Sequence, residues 1–193
     1  MKTSKIAVIA ILAALSIGTN YAMISLFNVK LMDFIVFVGG FCFGPFVGVL
    51  IGIISWAVYG TLNPMGFVLP IWVSTMLSEA IYGVAGGLVR KAVTSHEVGE
   101  SGNYSIGTYI FFGTVGMFLT FTYDVITNIV FGYFAYFGHV TWWTIVASIV
   151  SGFVPFGLVH VASNAAFFGI GCVPTIRAIM NVVGGEKSDF PKE

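Results

Sequence analysis

Asp124 and Asn128 stand four residues apart in FTYDVITNIVFG (Phe121–Gly132), inside the mostly apolar run 105–136. At about 100° per residue the two share one helix face. A carboxylate turned toward hydrocarbon is unfavourable by at least ~2.5 kcal/mol, so this face belongs to a protein interior or a wet cavity. A carboxylate acceptor beside an amide that both donates and accepts can hold a cation or a donor-rich ligand. The same pair can instead be glue between helices, tied to Thr120, Tyr123 or Thr127. His160 and Asn164 repeat the spacing in a later run, with Phe156 and Phe167 near their face. If that run starts near Pro155, a rise of ~1.5 Å per residue puts His160 at about the depth of Asn128 on an oppositely running helix. The two polar pairs then face each other.

Glu79 is a third candidate, near the middle of its apolar run, with Thr75, Tyr82 and Gly83 on adjoining turns. Asp33 reads differently: Lys30, three residues earlier, is a ready partner at an interface. Acids without a deep Lys or Arg favour a cationic or donor-rich ligand when ionised, though a low dielectric can also keep them neutral. Trp142 and Trp143 are interfacial anchors or an aromatic lid. Asn63, with Tyr59, either closes the pocket from the opposite side or serves the turn Asn63–Gly66. His96, His139 and His160 are scattered, and Cys42 and Cys172 sit in apolar surroundings. That pattern suggests no metal site, no disulfide framework and no cofactor.

The elements carrying these residues belong to a membrane protein. Hydrophobic residues make up 58% and charged ones 8% of 193, with a mean hydropathy of +0.97, a balance that a soluble domain could not bury. The expected fold is an all-α bundle of six transmembrane helices in a single membrane domain, 1–193. The spans read as about 5–26, 33–43, 46–62, 67–89, 105–136 and 154–180. Gly39-Gly40 and Gly44-Pro45 split what could be one long helix over 33–62. Residues 92–104 form a polar cytoplasmic linker, and 138–152, rich in Trp and flanked by glycines, an outer interfacial segment. Lys2, Lys5 and the apolar stretch behind them resemble a secretory signal, but that stretch runs on to Phe27, long enough to span. With six spans and both termini cytoplasmic, every Lys and Arg except Lys30 falls on the cytoplasmic side.

Five stretches stand out in order: Ala10-Ile11-Leu12-Ala13-Ala14, KLMDFIVFVGGFCFGPFVG (Lys30–Gly48), GTLNPMGF (Gly60–Phe67), YDVITN (Tyr123–Asn128) and PFGLVHVASNAAFF (Pro155–Phe168). By these the chain resembles the substrate-binding S-component of an energy-coupling-factor (ECF) vitamin transporter. The resemblance implies six helices in a prokaryotic plasma membrane and a high-affinity pocket near the outer face, covered by external loops. It also implies a partner module of one transmembrane coupling subunit and two ATPase subunits. The chain has no GxxxxGK[ST] string of its own. Ala10 and Ala14, one turn apart, let a helix backbone approach closely, from the coupling subunit or from within the chain. The function so implied is capture of a water-soluble vitamin or related heterocycle, with no enzymatic chemistry; the excess of acids and the aromatic content, not the resemblance, make a thiamine-like cation the leading candidate. The pocket residues are Glu79, Asp124, Asn128, His160, Asn164 and Asn63, with Trp142 or Trp143 as the aromatic wall. The rivals are a proton-coupled carrier using Glu79, Asp124 and His160 as a relay, and a scaffold subunit whose polar residues are only helix glue.

Overall fold

The structure is a computed structural model, and it describes residues 3–63, 66–93 and 105–185. Among these residues every regular element is helical. In order they are α1 (Thr3–Ala22), α2 (Met32–Phe43), α3 (Pro45–Thr61), α4 (Leu69–Ala92), α5 (Ile106–Ala135), α6 (Trp142–Gly152) and α7 (Leu158–Gly185). A π-helical turn, Phe153–Gly157, joins α6 to α7. Three stretches are long and apolar enough to cross a membrane: Thr3–Ala22, Ile106–Ala135 and the α6–α7 unit Trp142–Val183. Met32–Phe43 and Pro45–Thr61 are apolar but shorter. The linker 92–104 and His96 lie mostly or wholly outside the described residues.

The polarity of the bundle is inverted relative to a soluble protein. Ile11, Ile106, Ile170 and Val182 point outward, whereas Asp33, Glu79, His160 and Asn164 are wholly buried. Lipid accepts the first set; the second needs partners in the interior.

α2 lies at the centre. Met32 through Phe41 are all buried, as expected of a helix that is apolar on every side. It packs on α1, α3, α4 and α7. At ~1.5 Å per residue its twelve residues reach only about 18 Å, short of a ~30 Å hydrocarbon core. Gly44 ends α2: its φ of +102° suits a residue without Cβ, and its N–H bonds the Gly40 carbonyl. Pro45 then opens α3, where a missing N–H does no harm. Arg90, in the last turn of α4, donates to the carbonyls of Phe41 (3.1 Å) and Cys42 (2.7 Å) and so satisfies the end of α2.

α2, α3 and α4 meet backbone to backbone. A Cβ on Gly48 would stand 2.6 Å from the Cα atoms of both Gly40 and Gly83. This seam brings the polar residues of α4 against α2 and α3; a Cβ on Gly52 of α3 would touch Glu79 at 3.2 Å. On the other side α5 packs along α7, with Gly113 and Gly169 at their crossing. Phe34, Phe37, Phe112 and Phe168 fill the space between the two halves, Phe37 and Phe168 with centroids 4.9 Å apart.

Candidate functional site

The first turns of α2 and α7 and the middle of α5 converge on one buried polar centre. His160 stands two residues after Leu158, which starts α7. Its Nδ1 lies 2.9 Å from Asp124 Oδ1, and its Nε2 lies 2.7 Å from Asp33 Oδ2. With both acids ionised, only the doubly protonated ring satisfies both contacts, as charge-assisted hydrogen bonds. One turn on, Asn164 donates from Nδ2 to Asp33 Oδ2 and, at 2.9 Å, to Thr120 Oγ1. Thr120 Oγ1 also accepts from the Tyr82 hydroxyl of α4 at 3.0 Å. Four helices are thus joined through side chains alone.

Glu79 forms the second half of this centre. Its Oε2 accepts from Trp56 Nε1 at 2.9 Å, and like Asp33 it is wholly buried. A buried indole N–H needs such an acceptor, and Trp56 supplies the aromatic wall in return. Trp56 and Tyr123 lie nearly parallel, 29° apart with centroids at 6.5 Å, and Tyr59 meets Trp56 edge-on. Tyr123 in turn meets the His160 ring edge-on at 5.7 Å.

A charge already sits against this wall. Lys30 Nζ is 5.4 Å from the Trp56 ring centroid and 5.5 Å from that of Tyr123, an arrangement contributing about 0.5–2 kcal/mol. The loop that bears it, residues 23–31, is pinned across the bundle. Asn28, at φ +51°, donates from Nδ2 to the Phe156 carbonyl at 2.8 Å, and Phe27 packs on the Phe156 ring at 4.4 Å.

Several buried polar atoms of the centre have no protein partner: Asp33 Oδ1, Glu79 Oε1, Asp124 Oδ2, Asn164 Oδ1 and the Tyr123 hydroxyl. Clustered unsatisfied groups of this kind call for a further partner, such as a shared proton, an ordered water or a polar guest. Charge points the same way. With the His160 ring doubly protonated, three carboxyls stand near two cations, Lys30 and His160, and the centre is neutral when the acids hold one proton. Both nitrogens of His160 are committed to carboxylates, and among the described residues no group of three His, Cys, Asp or Glu is arranged to hold a metal ion.

The structure brings together four of the residues singled out above: Glu79, Asp124, His160 and Asn164. It does not bring Asn128 to them. Asn128 is half-buried and lies against Gly152 at the end of α6, where a Cβ would collide with its amide. Trp142 and Trp143 are 71% and 78% exposed at the start of α6, away from the centre. Asn63 follows α3 in a turn, its carbonyl accepting the Gly66 N–H at 3.0 Å. On α1, Ala10 and Ala14 are exposed whereas Ala13 is buried, so the small-residue stripe faces outward.

Asp33 is the residue whose role changes most. It makes no ion pair with Lys30 within 4 Å; instead it is buried and bonded to His160 and Asn164. The reason is the shortness of α2, whose first turn starts inside the bundle rather than at its rim. The apolar circumference of Met32–Phe41 was the available signal, because a helix apolar all round carries even its acids inward. Trp56, Tyr123, Thr120 and Lys30 join the site by contacts that no spacing rule announces.

A family model described as ECF transporter, substrate-specific component, matches residues 4–170. No curated protein and no solved structure shows significant similarity to the chain.

Proposed function

The chain belongs to the family of ECF transporter substrate-specific components, and on that premise we propose that it captures a small donor-rich heterocycle bearing a positive charge. A thiamine-like, water-soluble vitamin is the leading candidate. The observation that carries this reading is the joint placement of Asp33, Glu79 and Asp124 beside the Trp56–Tyr123 wall, where a cation already rests. Carboxylates give such a ligand its charge complement and acceptors, and the rings give it a face to stack on. His160 and Asn164 orient the acids.

In this reading α1 to α5 and α7 are the six spans, both termini are cytoplasmic, and the protein sits in a prokaryotic plasma membrane. The arrangement of charge supports it. Lys5, Arg90, Lys91 and Arg177 lie toward the end of the bundle opposite Lys30. Uptake is driven by a transmembrane coupling subunit with two ATPase subunits, and the outward stripe of Ala10 and Ala14 is the docking face. Ala10→Trp then abolishes transport and spares ligand binding; loss of binding instead would make that face an internal one.

Native mass spectrometry of the detergent-purified protein, followed by denaturation and identification of the released small molecule, tests the substrate class directly. A cationic heterocycle is the expected passenger. A retained anion, or a lipid in its place, would overturn the reading.

A further inference from the structure

Lys30 holds an unusual position among the charged groups near the centre. Its charge acts on Asp33, Glu79 and His160, yet among the described residues it forms no ion pair within 4 Å and rests instead on the faces of Trp56 and Tyr123. Within the same centre Asp33 Oδ1 and Glu79 Oε1 are buried without a partner. A flexible lysine beside two carboxyls has every electrostatic reason to contact one of them. This one occupies an aromatic slot instead.

We propose that Lys30 is a tethered stand-in for the cationic group of the substrate: the ligand's organic cation takes the place on Trp56 and Tyr123, and Lys30 withdraws with its loop. The inference rests on the cationic-substrate reading above and adds how the site is kept and opened. Charge conservation favours it. Exchanging one cation for another leaves the balance with Asp33, Glu79 and Asp124 unchanged. An anion drawn to Lys30 would instead add negative charge beside three acids, which a low-dielectric interior disfavours strongly. The exchange also has a mechanical arm. Lys30 lies two residues from Asn28, whose side chain holds the Phe156 carbonyl, and three from Phe27, which packs on the Phe156 ring. Withdrawing Lys30 therefore pulls on the π-helical turn that leads into α7 and His160. A ligand that fills the slot releases the clasp between loop 23–31 and the α6–α7 junction.

The test uses the full-length protein in detergent, freed of any retained molecule, as wild type, Lys30→Met, Lys30→Gln and Lys30→Arg. Tryptophan fluorescence is titrated with tetramethylammonium and with thiamine as cationic probes, and with nicotinate as an anionic one. Removing a competitor that fills the slot most of the time raises apparent affinity in proportion, so both neutral variants should bind the cations about tenfold tighter than wild type. Lys30→Arg should behave as wild type. Equal or weaker cation binding in folded Lys30→Met and Lys30→Gln overturns the proposal, as does failure of both cations to bind any form. Nicotinate binding that the neutral variants lose overturns it too, by making Lys30 an anion ligand. Mass spectrometry of the untreated preparations separates the two levels. A retained cationic heterocycle together with no gain in the neutral variants sinks the exchange alone; a retained anion sinks the cationic substrate as well.

Discussion

The two polar pairs, Asp124/Asn128 on α5 and His160/Asn164 on α7, have the same spacing and different fates. Both members of the α7 pair enter the centre, where His160 joins two acids and Asn164 joins Asp33 to Thr120. The α5 pair divides. Asp124 meets His160, while Asn128, one turn further, meets Gly152. A spacing of four fixes a shared face but not a shared neighbour. Along α5 the neighbour changes from α4 and α7 to α6, marked by Gly132 against Ser148 and Asn128 against Gly152. The glycine of each contact lets the polar side chain opposite lie against backbone.

This contrast orders the expected effects of mutation. The largest belongs to His160, the shared partner of two buried carboxyls. His160→Leu should destabilise the protein by about 3–5 kcal/mol, because it leaves charges buried without compensation; thermal unfolding in detergent measures it. A loss below about 1 kcal/mol would mean that the acids do not depend on the ring. Next come Asp124→Asn and Asn164→Ala, each expected to weaken binding of the captured ligand by about 1–3 kcal/mol in a fluorescence titration. Unchanged affinity in both would remove the proposed pocket. The smallest effect belongs to Asn128→Ala, within about 0.5 kcal/mol in the same titration. A loss at Asn128 equal to that at Asp124 would erase the distinction between the two turns.

What could be read in the sequence follows from which forces act locally. Glycine and proline act through their own backbone, so the break at Gly44–Pro45 is visible in the letters and present in the structure. Helical period is local too, which is why Asp124, His160 and Asn164 emerged from spacing alone. The partner of Asp33 was not local. The short reach from Lys30 made an ion pair look natural, but the burial of α2 on all sides drew the carboxyl to His160, 127 residues away. Trp142 and Trp143 show the opposite limit. Their chemistry suits a ligand wall or a membrane surface equally, and only the fold puts them on the outside while Trp56 takes the wall.

The seam of Gly40, Gly48 and Gly83 has a consequence for the shape of the centre. Where backbone rests on backbone there is no space for a side chain between them, so α2, α3 and α4 form one tightly packed unit, like a keel. Asp33 and Glu79 both ride on that keel, and their separation is fixed from below. His160 and Asn164 belong to α7, across a filling of phenylalanine rings. Asp33 and Glu79 thus form one jaw of the centre, carried by a single packed unit, and the histidine and the amide form the other.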